Sequence, residues 1–165
     1  DSWDASRKGV SSYAKTLMSK QNNKCANCHV DFSRKNMSRN DHYKPYHLSF
    51  EELTKPEVDH IEPVSCLGDN SEKNLQVLCR MCNAGKGDGL GFDVRKELEH
   101  AANVVEKIKD IHRYRMLFWV IDRDKNSCQK CGSKTNELTI RKILQKGGYL
   151  RSNLESLCYK CITSS

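Results

Sequence analysis

Residues 58 to 88 read VDHIEPVSCLGDNSEKNLQVLCRMCNAGKGD, and the order of residue types in this stretch decides how the rest of the chain is read. Glu57 to His60, ahead of Pro63, suits a strand that runs into a turn, and Leu75-Gln76-Val77-Leu78 suits a second, apolar strand. On a regular strand Val58 and His60 point to one side and Asp59 to the other, so a twist or bulge is needed to bring both polar groups to one place. Leu67 to Ser71 forms the loop between the strands, and Asn74 opens the second. That strand ends at Cys79, and Asn83 and Lys86 fall on the helix that follows.

Cys79 and Cys82 are one of four C-x-x-C pairs, the others being Cys25/Cys28, Cys128/Cys131 and Cys158/Cys161; Cys66 stands alone. A C-x-x-C turn aims two thiolates at one point, and a second such turn completes a tetrahedral, closed zinc shell. Cys25, Cys28, Cys79 and Cys82 are therefore assigned to one structural zinc, and Cys128, Cys131, Cys158 and Cys161 to another. A disulfide framework would also staple the chain, but it gives no reason for every pair to share one spacing. His29 beside Cys28 could replace a ligand, though a packing role suits it better.

Staples are needed. Of 165 residues only 37% are hydrophobic and 30% are charged, which supports one ordinary domain or two very small ones poorly by apolar burial alone. No apolar run approaches the roughly 20 residues of a membrane span, and the N-terminus lacks a signal-peptide layout, so a cytoplasmic (intracellular) protein with no membrane partner is expected. A chain opening at Asp1 rather than Met is compatible with a fragment of a larger polypeptide. The net charge of +7 is uneven: residues 1–100 hold 15 Lys+Arg against 15 Asp+Glu, and residues 101–165 hold 13 against 6. An excess of this kind suits a polyanion, although charge alone does not separate a binding face from a merely soluble one.

The chain also repeats itself. KQNNKCANC before Cys28 has a counterpart in DRDKNSCQKC before Cys131, Val58-Asp59-His60-Ile61 aligns with Ile140-Arg141-Lys142-Ile143, Asn74-Leu75 with Asn153-Leu154, and the final pairs align in turn. The second copy is three residues shorter between Lys142 and Asn153. Around these units, Val10, Tyr13, Ala14, Leu17 and Met18 predict a short helix ended by Gln21 to Asn23. Residues 33–56 read as a polar insertion, and Asp93 caps a helix whose face holds Val94, Leu98, Ala101, Val105 and Ile108. The apolar stretch Met116 to Ile121 follows. The expected architecture is α+β: a nuclease-like unit over residues 1–91, a connecting helix over 92–121, and a second zinc unit over 122–165.

The stretch D-H-I-x-P, then N-L-Q, then C-x-x-C-N-x-x-K resembles the HNH endonuclease family, with its ββα-metal motif. The likeness covers residues 24–32 and 57–87, leaves 33–56 unmatched, and makes 124–161 a degenerate copy. It implies that His60 is the general base, that Asp59 and Asn83 hold a catalytic Mg²⁺ or Mn²⁺, and that Asn74 fixes the loop orienting the histidine. Cleavage would leave 5′-phosphate and 3′-hydroxyl ends. Arg80 and Lys86 are candidate phosphate contacts, as are Arg141 and Lys142, which stand where the second copy has lost the Asp-His pair; Asn83 is likewise replaced by Ile162. Taken singly, each of these residues has a bland reading as turn former, cap or structural histidine. DNA is the expected partner, with RNA open, in a restriction, defence or toxin setting. One active centre per chain means that cutting both strands needs a homodimer or two visits. The competing classes are a non-catalytic zinc-dependent nucleic-acid-binding module and a protein-interaction zinc domain.

Overall fold

A computed structural model describes residues 10–33, 54–63, 66–87, 106–148 and 150–163. A 3₁₀ turn at Ser11–Tyr13 leads into α1 (Ala14–Lys20), where Leu17 is buried and packs with Val10 against Leu75 and Val77. The helix stops because Asn22 and Asn23 take φ of 54° and 57°, a left-handed conformation that asparagine tolerates better than most residues. Their amides bond back to Ser19 and Met18 and close the turn that precedes Cys25.

Strands β1 (Pro56–His60) and β2 (Leu75–Cys79) form an antiparallel hairpin in continuous register, from Pro56 opposite Cys79 to His60 opposite Leu75. Helix α2 (Arg80–Lys86) follows directly. Helix α3 (Glu106–Arg123) leads to a second hairpin, β3 (Leu138–Lys142) with β4 (Leu154–Cys158), and to the closing helix α4 (Tyr159–Thr163). Small sheets and short helices around two cysteine clusters make the fold α+β.

The repeat holds at the level of single hydrogen bonds. Lys125 and Asn126 repeat the left-handed pair of Asn22 and Asn23, with φ of 59° and 52°. Cys25 N–H bonds the Val30 carbonyl at 3.0 Å and Cys128 N–H the Ser133 carbonyl at 2.9 Å; Ala26 bonds Val77 and Gln129 bonds Ser156 in the same way. By this correspondence α3 is to the second unit what α1 is to the first. Met116 to Ile121 lies inside α3, so it is not a separate stretch following a helix. Met116, Leu117, Phe118, Val120 and Ile121 are buried among residues of both units, which removes the one-sided pattern that marks a surface helix. Asp93, Val94, Leu98, Ala101 and Val105, and residues 34–53 of the insertion, lie outside the described residues.

Both units share one core. Leu138 N–H donates to the Cys28 carbonyl at 2.7 Å, and Asn126 Nδ2 donates to the Asn27 carbonyl at 3.2 Å. Gly85 lets α2 meet α3: a Cβ there would stand 2.0 Å from the Tyr114 carbonyl oxygen, backbone that cannot move aside. Among the described residues no helix is long and apolar enough to cross a membrane.

Candidate active site

The cysteines come together as their spacing predicts. Cys25, Cys28, Cys79 and Cys82 form one cluster and Cys128, Cys131, Cys158 and Cys161 another, each with all sulfurs within 4.8 Å of one another. All nine cysteines are free, so the disulfide alternative falls away. Sulfur separations of 3.8 Å for Cys28–Cys79 and for Cys131–Cys158 match the edge of a tetrahedron with metal–sulfur bonds of about 2.3 Å, so either cluster could hold zinc. His29 is not a fifth donor: its Nε2 donates to the Asn126 carbonyl at 2.8 Å, and with φ of 62° it occupies the place that Gly132 fills in the second unit.

The clusters differ in shelter. In the first, burial pushes the Cys25 thiol up, but hydrogen bonds from Cys28, Cys79 and Cys82 outweigh it and hold Cys25 well below the ordinary thiol range. In the second, burial opposes backbone N–H groups of Cys131, Cys158 and Lys130, which bring Cys128 down to about 6, and Cys131 is exposed. Because Cys131 is exposed whereas all four cysteines of the first cluster are buried, the second cluster should release zinc to weaker chelators than the first. A chromogenic zinc indicator followed during titration with chelators of rising affinity checks this as two steps, with Cys131→Ser abolishing the earlier one.

On β1, residues two apart share a face, and on α2 residues three apart do. Glu57 and Asp59 accordingly meet Asn83 and Lys86: Asn83 Nδ2 donates to Glu57 Oε2 at 2.6 Å, and Lys86 Nζ donates to Asp59 Oδ2 at 2.6 Å. Gln76, opposite Asp59 in the hairpin, donates to the same Oδ2 at 3.0 Å. These bonds engage Asp59 Oδ2 and the Asn83 amide nitrogen, not Asp59 Oδ1 or Asn83 Oδ1. Among the described residues, only the two cysteine clusters group three or more His, Cys, Asp or Glu ligand atoms this closely. A cation at Asp59 would thus rest on one carboxylate, one amide oxygen and non-protein oxygens, which is the habit of Mg²⁺.

Strand β1 is regular, with no bulge, and His60 turns to a different partner from Asp59. Its Nε2 lies 2.7 Å from Asn70 Oδ1 in the loop; an amide oxygen only accepts, so Nε2 donates there and in the neutral ring Nδ1 is the unprotonated nitrogen. That loop is held by Asn74, whose Nδ2 donates to the Glu62 and Asp69 carbonyls while its Oδ1 accepts from Glu62 N–H. Asn153 makes the same three bonds, to Leu144 twice and to Gly148, in a hairpin that has no histidine. A clamp kept where there is no base to orient is a device of the loop itself. A Cβ at Gly68 would collide with the Glu62 carbonyl at 1.8 Å, so this loop needs glycine there.

The expected phosphate contacts divide. Arg80 is exposed at the start of α2. Lys86 is only 6% exposed, and its ammonium bonds the partly buried Asp59 carboxylate and the His60 carbonyl. Arg141 lies 3.7 Å from Glu155 across the second hairpin, and Lys142 is half-buried at its end. Glu57, Asn70 and Gln76 were not singled out from sequence. Strand alternation from Asp59 pointed to Glu57, whereas Asn70 lies in a loop that no periodicity describes.

Comparison with curated proteins and with solved structures returned no match. The family model of the HNH endonucleases matches residues 25–89, which take in the first cysteine pair, the β1–β2 hairpin with its Asp59-His60 pair, and α2 with Asn83. Residues 25–89 thus match the HNH endonuclease family, over less than half of the chain.

Proposed function

We propose that the protein is a metal-dependent endonuclease that hydrolyses DNA phosphodiester bonds at the first hairpin, on a scaffold held by two structural zinc ions. The observation that carries this reading is the β1–α2 pairing of Glu57 with Asn83 and Asp59 with Lys86, which puts Asp59 and Asn83 on adjoining elements, with His60 next along β1 and bonded to Asn70.

His60 Nδ1 takes the proton of the attacking water, and Asn70 keeps the imidazole from rotating away. Asp59 and Asn83 would hold Mg²⁺ or Mn²⁺, which when bound would supply positive charge against the negative charge that develops as the 3′ oxygen leaves. Lys86 is the ion-pair partner of Asp59 and holds its Oδ2 in place. Glu57 accepts the Asn83 amide N–H and so presents the Asn83 oxygen. Glu57→Ala should therefore raise the Mg²⁺ concentration for half-maximal rate about 10- to 100-fold, with a smaller change at saturating metal. A metal titration of the cleavage rate checks this.

The second hairpin has Arg141 and Lys142 in place of Asp59 and His60, and Ile162 in place of Asn83, so it supplies neither base nor metal ligand. It serves as a binding element. One observation favours a second reading, a binding module without catalysis: the Lys86 ammonium already sits on Asp59. Supercoiled plasmid incubated with zinc-loaded protein, with and without Mg²⁺ or Mn²⁺, separates the two. Nicked circles that accumulate before linear product, only with added metal, support the nuclease. Tight binding with intact plasmid under every metal supports the module.

A further inference from the structure

The two hairpins share one pattern of strand register and asparagine clamp but carry opposite charge. From Val58 to Asn74 the first carries four acids, Asp59, Glu62, Asp69 and Glu72, against Lys73 alone. From Ile140 to Asn153 the second carries Arg141, Lys142, Lys146 and Arg151 and no acid. The exchange is positional: Asp59 gives way to Arg141, His60 to Lys142, Glu62 to Leu144, and Asp69, whose carbonyl takes the clamp bond, to Gly148. A loop suited to a divalent cation has become one suited to phosphate.

Within this basic loop stand two aliphatic side chains. Ile143 is 53% exposed and Leu144 is 68% exposed, although both follow directly on the hairpin. Their backbone is tightly held: Ile143 N–H donates to the Asn153 carbonyl at 2.8 Å, Leu144 N–H to Asn153 Oδ1 at 2.9 Å, and Asn153 Nδ2 back to the Leu144 carbonyl at 3.0 Å. Gly147 closes the far side, with its N–H on the Leu144 carbonyl at 3.0 Å. Asn153 crowds Gly147 so closely that a Cβ would lie 2.5 Å from its Nδ2. Exposed leucine on a fixed backbone, flanked by Lys142 and Lys146, is costly in water and matched to a surface that is anionic outside and apolar within.

We infer that the second hairpin is a duplex-DNA wedge: Lys142 and Lys146 neutralise phosphates on either side of the minor groove while Ile143 and Leu144 press on a base step and bend the duplex. Rigid presentation favours this occupant, because insertion against stacked bases must be made without ordering a loose loop at the same time. The cations hold the backbone and the aliphatic pair carries the deformation. The inference rests on the reading that DNA is the substrate, but not on catalysis.

The test uses the zinc-loaded full chain without added Mg²⁺ or Mn²⁺, and a 30-base-pair duplex carrying a donor dye at one end and an acceptor at the other. The wild-type protein is expected to raise energy transfer on binding. Ile143→Ala/Leu144→Ala should weaken binding about 10- to 100-fold, abolish the rise and leave the salt dependence of affinity as it was. Lys142→Ala/Lys146→Ala should instead lower the slope of log affinity against log salt by about 2. Both pairs lie on the surface, and unchanged zinc content and melting temperature show that the variants are folded. An aliphatic variant that binds and bends like wild type overturns the wedge, as does a lysine variant with an unaltered slope. Bending without any cleavage under Mg²⁺ would sink the nuclease reading and leave the wedge standing; cleavage without bending would do the reverse.

Discussion

His60→Ala should lower the rate of DNA cleavage about 10²- to 10⁴-fold, the span over which a positioned base contributes, while DNA affinity and zinc content stay at wild-type levels. The separation of effects follows from where His60 sits. Its side chain is half-buried at the end of β1 and bonds the loop residue Asn70, outside the core that α3 fills, so its removal opens no cavity there. The bond from Lys86 reaches the His60 carbonyl and survives the substitution. Single-turnover cleavage at saturating Mg²⁺, beside equilibrium binding without it, checks the result. Unchanged cleavage would remove His60 from the chemistry.

Cys79→Ser should have the larger effect on the fold. Cys79 is fully buried, ends β2, lies 3.8 Å from Cys28 Sγ and donates its N–H to Cys25 Sγ at 3.3 Å. A structural zinc contributes about 10–16 kcal/mol in small zinc-folded peptides, comparable with the ~5–15 kcal/mol that holds a whole domain. Loss of one thiolate should therefore unfold the first unit. Because both cysteine clusters abut one core, the second unit should be loosened with it. Metal analysis should fall from two zinc ions per chain, and the cooperative thermal transition should be lost. Two retained zinc ions with an unchanged melting temperature would show that the four cysteines are not a metal shell.

Features set by local spacing were readable from sequence. The C-x-x-C pairs gave both clusters, the alternation from Glu57 gave β1, and the alignment of Asp59-His60 with Arg141-Lys142 gave a repeat that the hydrogen bonds bear out. Features set by packing were not. Met116 to Ile121 carries no amphipathic signature because it is buried among both units, so α3 could not be recognised as the first helix of the second repeat. The partner of Lys86 was hidden for a related reason: motif position suggests a phosphate contact, and only the register of α2 against β1 shows its ammonium at Asp59. Asn70 and Asn74 illustrate the same divide. Asn74 stands at a motif position, whereas Asn70 reaches His60 only because the Asn74 clamp folds the loop back.

The hairpin pair also bears on how the chain would work on a duplex. The first hairpin carries Asp59 and His60, the second carries Arg141 and Lys142 with exposed Ile143 and Leu144, and Asn27, Asn126 and Leu138 fix the two units to each other through hydrogen bonds. Under the proposed function, a link of this kind would set a constant offset between the place where DNA is held and the place where it is cut.

The central claim is that the first hairpin alone is a divalent-metal centre. It is tested most directly by titrating zinc-loaded protein with Mn²⁺ and following free Mn²⁺ by electron paramagnetic resonance, in wild type and in Asp59→Ala. The account predicts one Mn²⁺ bound per chain beyond the two zinc ions and none in the variant, with zinc content equal in both. No Mn²⁺ bound by the wild type, or binding that Asp59→Ala leaves intact, would contradict it.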